Sequence, residues 1–330
     1  MSTTAPNASP APRGHDPLAA LGSLPGVPDA VDSVRKAVDP LYAHRVMRRR
    51  GNEVTSEAAL RAARGSAALS GADWALEEVR RRSDFGAGAD ALTVGAALRL
   101  TAEAGQLLSI WRQSPMRVLA RLHLVAAGGA ARDLYGVGHS VGVGDGVGGA
   151  DGGAGTGVAP GDGVGGAAGV GGETVGRPRL AGEPVVETPG PESPKPLIEA
   201  PLPPADEVAG RLEGLSGLVI AGSSAPALVT AAVVHGELLA LRPFGSYNGL
   251  VARAAERIVL VGSGLDPKSI CPAEVGHAEL GRAAYVAAFD GYLSGTPDGM
   301  AAWIAHCGRA VELGVRESTA VCEALQRGAA

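Results

Sequence analysis

Apolar residues fill nearly every position of 227–241 and recur with a helical period over 250–261, which predicts two helices, the first buried on all faces. The same period predicts helices over 32–50, 56–64, 71–82, 91–111, 114–126, 206–215, 272–292 and 298–326. Local signals set several ends: Gly65 is read as a terminator, Asp73 as an N-cap, Ser114-Pro115 as a capped start, and Gly276 and Gly281 as interruptions. Strand-like patterning is confined to one short hairpin near 177–186. The pattern predicts an all-α chain.

The periodicity vanishes between the two helical blocks. Over 136–172 roughly half of the positions are Gly, against a usual level of about 7%, and over 177–204 the bias shifts to Pro and Glu. Both stretches read as low-complexity chain, flexible and then stiffer and extended. The segment Gly144-Asp-Gly146-Val-Gly-Gly149 satisfies GxGxxG, but no strand precedes it and no helix follows, so it carries no dinucleotide site. Residues 1–31, rich in Pro, Ala, Gly and Ser, read as a disordered tail.

The 330 residues include 45% apolar side chains, enough for a sizeable core, but only 3% aromatics. A net charge of -5 and a pI of about 5.8 exclude a dedicated nucleic-acid binder. The local exception, Arg45-Val-Met-Arg-Arg-Arg50, reads as a solvated helix face. Cys271, Cys307 and Cys322 have no zinc or redox spacing and read as small buried residues in a reducing compartment. No secretory leader and no uninterrupted apolar run of membrane-spanning length is visible, so a cytoplasmic location is expected.

The chemistry concentrates between the two strongest helices, in Arg242-Pro-Phe-Gly-Ser-Tyr-Asn-Gly-Leu-Val-Ala-Arg253. Pro243 disfavours helix at Arg242 and ends the first helix, while Asn248-Gly249 reads as the N-cap of the second. A tight loop against a helix N-terminus is a natural anion site. The stretch resembles the signature loop of the Fic/Doc (Fido) family, His-Pro-Phe-x-Asp/Glu-Gly-Asn-Gly-Arg-x-x-Arg, with Pro243, Phe244, Asn248, Gly249 and Arg253 in register. His235-x-x-Leu-x-x-Leu-Arg242 is similar to the family's approach to that loop. The run 284–303 is similar to its Tyr-rich helix, turn and Trp-containing helix.

The resemblance implies a Fido-like helical domain over 32–330, with a β-hairpin flap near 179–186 and a long disordered insertion over 131–204. It also implies ATP as the cofactor, transfer of AMP or another phosphate-containing group to a protein hydroxyl, and a protein target. The departures fall on the chemistry. Arg242 stands where the family has its catalytic base, and a guanidinium cannot accept a proton at neutral pH. Ser246 replaces the Mg²⁺-binding acid, so Mg²⁺ is in doubt and no metal site is assigned. Tyr247 replaces a Gly and Leu250 the first Arg. Phe244, Ser246, Asn248, Gly249 and Arg253 are the expected nucleotide-binding positions. Arg242 is either a phosphate ligand or a surface arginine at a helix end. Arg253 and Arg257 either contact phosphate or form a salt-bridged face, and His235 is either a buried structural residue or a substitute base.

Many family members also carry an inhibitory helix, Ser-x-x-Ile/Leu-Glu-Gly, whose Glu pairs with the second motif Arg. Ser66-Ala-Ala-Leu-Ser-Gly71 resembles it, with Ser70 at the Glu position. Base, metal ligand and brake are then all altered, which favours a degenerate pseudoenzyme that keeps a nucleotide- or phosphate-binding loop. The alternative is an active nucleotidyltransferase or phosphotransferase with rearranged catalytic residues. No P-loop, nucleophile elbow or metal-spaced His/Cys cluster competes with the loop.

Overall fold

The computed structural model describes residues 16–128, 175–189 and 192–328. Among these, the helices are α1 (Pro17–Leu21), α2 (Val27–Ala43), α3 (Met47–Leu69), α4 (Leu76–Arg81), α5 (Ala89–Ala104), α6 (Leu108–Trp111) and α7 (Pro115–Ala126). After the Gly-rich run follow α8 (Ala205–Ala221), α9 (Ala227–Leu241), α10 (Asn248–Gly262), α11 (Ala273–Leu280), α12 (Arg282–Ser294) and α13 (Pro297–Gln326). No strand is formed among the described residues. None of their helices is long and apolar enough to cross a membrane.

Helix α9 lies at the centre because it has no polar face to present to water: Leu, Val and Ala are buried around its whole circumference. It packs against α10 and α13, and α13 in turn against α2, α11 and α12. The 30-residue α13 starts with Thr296 accepting from the Gly299 N–H and with Pro297 in its first turn. Buried side chains from before and after the Gly-rich run, such as Val54, Leu100, Leu228 and Trp303, share one hydrophobic core.

Several local expectations shift. Residues 16–31, read as part of a disordered tail, are ordered: the Asp16 carboxylate caps α1 and also accepts from Ser223 and the Ser224 N–H, tying this segment to the start of α9. Gly65 does not end a helix but lies inside α3, where an added Cβ would sit 2.7 Å from the Glu274 carbonyl oxygen of α11. It is a close-approach glycine. Asp73 does not cap a helix; it pairs with Arg64, and α4 starts later, at Leu76. The hairpin expected over 177–186 is a turn without strands, and 192–204, read as linker, is irregular but partly buried through Leu197 and Ile198. The expectations for 1–15, 131–174 and 190–191 lie outside the described residues.

Candidate functional site

The end of α9 and the start of α10 form the loop, and two non-glycine residues take left-handed backbone to close it. Arg242 caps α9 at φ 41°, its N–H donating to the Leu238 carbonyl, and Tyr247 precedes α10 at φ 57°. Such conformations cost roughly 1–2 kcal/mol each and persist where the surroundings impose them. Asn248 is the first residue of α10, not its cap. Its side chain instead closes the loop on itself, accepting from the Phe244 N–H at 2.9 Å and donating to the Phe244 carbonyl at 2.7 Å.

The segment 175–189 covers this loop in the place expected for a flap. The Arg179 N–H donates to the Pro243 carbonyl at 2.7 Å, the Val186 N–H to Gly245 at 3.0 Å, and the Tyr247 N–H to Glu187 at 3.0 Å. Pairing therefore runs from flap to loop, not within a hairpin. Of residues 241–253 only Gly245 is partly exposed.

The Arg242 guanidinium bonds the backbone of 198–201. Its Nη2 donates to the carbonyls of Ala200 at 2.6 Å and Pro201 at 2.8 Å, and Nη1 to Ile198 at 3.2 Å. Arg179 reinforces the arrangement by donating from Nε to the Arg242 carbonyl at 3.1 Å. Arg242 is not a surface arginine: it is buried and staples the 192–204 segment to the loop.

Ser246 is buried, with Oγ 3.5 Å from Nε2 of His123 on α7. Sequence reasoning passed over His123, whose ring stacks on Phe244 at 4.3 Å between centroids. Its Nδ1 accepts from the Gly176 N–H at 3.0 Å. The proton of the neutral ring is then on Nε2, which faces Ser246 as a donor and cannot take a proton from it. Burial pushes the His123 pKa down to about 4, so the ring is neutral at neutral pH. No signal in the chain marks His123 apart from its place on the apolar face of α7.

Arg253 is buried against α3. Nε donates to Ser66 Oγ at 2.9 Å, and Nη2 to the Ser66 carbonyl at 2.9 Å and Ser70 Oγ at 2.8 Å. Ser66-Ala-Ala-Leu-Ser-Gly71 thus meets the second motif Arg, with two hydroxyls in place of a carboxylate. Nη1 of Arg253 has no aligned hydrogen bond, although the guanidinium faces the Tyr285 hydroxyl. Arg257 is fully engaged, paired with both oxygens of Glu274 at 2.8 Å and bonded to Ser269. Its salt-bridge partner is Glu274, not the neighbouring Glu256.

Beside Gly249 lie two buried atoms that have no hydrogen bond. A Cβ at that position would lie 3.1 Å from Glu187 Oε1 and 3.2 Å from Arg253 Nη1. Glu187 thus brings a carboxylate from outside the motif to the start of α10, where helix N–H groups attract an anion. Mg²⁺ with a nucleotide does not fit this arrangement. The motif offers no carboxylate, Ser246 faces an imidazole donor, Arg242 is committed to carbonyls, and the Glu187 carboxylate lies beside Gly249.

His235 is not a substitute base for the loop. It is fully buried, its Nε2 lies 2.6 Å from the Tyr285 hydroxyl, and burial lowers its pKa, outweighing Glu256. A cleft of about 780 Å³ opens at the other ends of the signature helices, lined by Ser224, Leu228 and Val234 from the α9 side, Val259 and Leu265 from the α10 side, and Arg35 of α2. It does not reach the loop.

No family model and no curated protein matches the sequence. Solved structures do match. A Fic family protein from Desulfovibrio desulfuricans G20 superposes with a TM-score of 0.59 at 16% identity, covering 90% of this chain and 75% of that one. Residues 134–508 of Fic-1 from C. elegans superpose with a TM-score of 0.53 at 15% identity, covering 89% and 71%. With the helical arrangement around the loop between α9 and α10, these matches show that the chain has the Fic (Fido) fold.

Proposed function

We propose that this Fido-fold chain is a pseudoenzyme: it does not transfer AMP or phosphate and acts by binding, with a protein as its partner. The observation that carries the reading is Arg242. A protonated guanidinium whose two terminal nitrogens donate to Ile198, Ala200 and Pro201 neither accepts a proton nor reaches a nucleotide. What remains of the anion site is the start of α10 with Arg253 Nη1, and the Glu187 carboxylate beside Gly249 opposes an incoming anion.

Incubation of the full chain with labelled ATP and cell lysate tests this. Transfer should not exceed background, and Arg242→His should not restore it, because Ser246 still lacks a carboxylate. Strong labelling by the parent protein would overturn the reading and favour an active transferase with rearranged residues. Titration with inorganic phosphate and with ATP, each with and without Mg²⁺, tests the binding half. Weak binding indifferent to Mg²⁺, strengthened by Glu187→Gln, is expected; tight Mg²⁺-dependent ATP binding by the parent would contradict it.

A further inference from the structure

Below the loop, the core holds a cluster that the signature motif does not account for. His235 of α9, Glu256 of α10, His277 of α11 and Cys307 of α13 are all buried, and one ligand atom from each lies within 4.8 Å of all the others. None is more than 1% exposed. Four helices thus bring two imidazoles, a carboxylate and a thiol to a single point.

The internal geometry of the cluster distinguishes it from an ordinary buried hydrogen-bond network. His235 Nδ1 lies 3.0 Å from Glu256 Oε2 but off the hydrogen-bond axis, so this buried nitrogen has no aligned partner. His277 Nε2 approaches the same oxygen at 3.1 Å. The far nitrogen of each ring is held from outside: His235 Nε2 by the Tyr285 hydroxyl at 2.6 Å, and His277 Nδ1 by His306 Nε2 at 3.2 Å. A metal-binding histidine is characteristically fixed in this way, its second nitrogen engaged so that the first presents a lone pair. Around a tetrahedral ion with bonds of about 2.0–2.3 Å, ligand atoms stand roughly 3.3–3.8 Å apart. The observed spread reaches that arrangement by shifts of under about 1 Å.

We propose that His235, Glu256, His277 and Cys307 form a closed, four-coordinate site for a divalent transition-metal ion. The mixture of imidazole, thiolate and carboxylate selects zinc over Mg²⁺ or Ca²⁺. Binding displaces the Cys307 thiol proton to solvent, and the thiolate and the Glu256 carboxylate together balance the two positive charges. All four positions are taken by protein, so the ion is structural: it ties α9, α10, α11 and α13 together beneath the loop. A site this deeply buried loads as the chain folds.

The test uses the full chain, purified from zinc-supplemented medium and separately refolded with zinc or Co(II). About one ion per chain is expected by elemental analysis. The Co(II) form should show the intense visible bands of tetrahedral coordination and a thiolate-to-metal charge-transfer band. Cys307→Ser should lose that band, and His277→Ala should weaken binding at least about tenfold. A parent protein that holds less than about a tenth of an ion per chain in both preparations overturns the proposal. So does a metal content and Co(II) spectrum unchanged in both variants, which would place the ion elsewhere. If the variants do not fold, the parent's stoichiometry and charge-transfer band decide alone.

Discussion

The helices α9 and α10 carry two polar regions that differ in what the side chains bind. At the loop, charged and amide groups bond the chain's own backbone: Arg242 to Ile198, Ala200 and Pro201, and Asn248 to Phe244. In the core, His235, Glu256, His277, Tyr285 and His306 face one another, side chain to side chain. Carbonyl acceptors do not titrate and cannot be displaced without opening the chain, so the loop arginine is architecture. Convergent titratable groups can hold or exchange protons or an ion. The motif arginine thus serves the chain's own backbone, and the metal site proposed above puts ligand chemistry one layer below it.

The largest effect should come from the core. Glu256→Ala leaves two fully buried imidazole nitrogens without the carboxylate they share, and each buried polar group left unsatisfied costs about 1–3 kcal/mol. Denaturant unfolding of the variant measures it. A loss smaller than that of Arg242→Ala would reverse the ranking of the two regions.

Acid should next affect the loop region. His123 is neutral in the fold, with its pKa lowered by burial from 6.5 to about 4. Between those values the unfolded chain binds the proton first. His123's contribution to stability is therefore complete above about pH 6.5 and is lost as pH falls towards 4, by up to about 3 kcal/mol. His306, lowered to about 3 by burial and by His277 and His235, adds to the slope from the core side. Unfolding free energy followed from pH 7 to 4 should be flatter in His123→Gln; an unchanged slope would assign the acid sensitivity to the core alone.

Arg242 tests the architectural reading directly. Arg242→Ala removes the charge-assisted bonds to three carbonyls and should cost about 2 kcal/mol. Arg242→Gly loses the same bonds but releases the left-handed strain at φ 41°, so it should be about 1 kcal/mol more stable than the Ala variant. Thermal or urea unfolding of the pair separates bonding from strain. Two variants without measurable cost would return Arg242 to the role of a ligand-binding residue.

These contrasts follow the line between what the sequence made legible and what it hid. The all-helical class, α9, α10 and the break at Pro243 were legible because apolar period and proline chemistry act locally. The meeting of Ser66 and Ser70 with Arg253 was legible only through resemblance to an inhibitory segment. Gly65 was misread because its reason is the Glu274 carbonyl of another helix, which no local rule contains. Asn248 was misplaced as a cap because its side chain reaches back to Phe244. The core cluster was invisible for the same reason: positions 235, 256, 277 and 307 belong to four helices, and a search for closely spaced ligands passes over them.

The smallest effect is expected at Gly249. A Cβ there meets Glu187 Oε1 at 3.1 Å, an atom with no hydrogen bond at the end of a flexible side chain, and Arg253 Nη1 at 3.2 Å on a guanidinium that Ser66 and Ser70 hold in place, so Glu187 is the side chain that yields. Gly249 also lies in the first turn of α10, where replacing Gly by Ala recovers up to about 1 kcal/mol of helix propensity. The displacement and the propensity gain should nearly cancel, leaving Gly249→Ala within about 0.5–1 kcal/mol of the parent in urea unfolding. The same methyl group would push Glu187 away from the start of α10, so phosphate binding should rise as it does in Glu187→Gln. A Gly249→Ala protein destabilised by more than about 2 kcal/mol would mean that Glu187 is locked in place as well. The loop would then be as rigidly built as the core beneath it, and the distinction between the two regions would fail at Gly249.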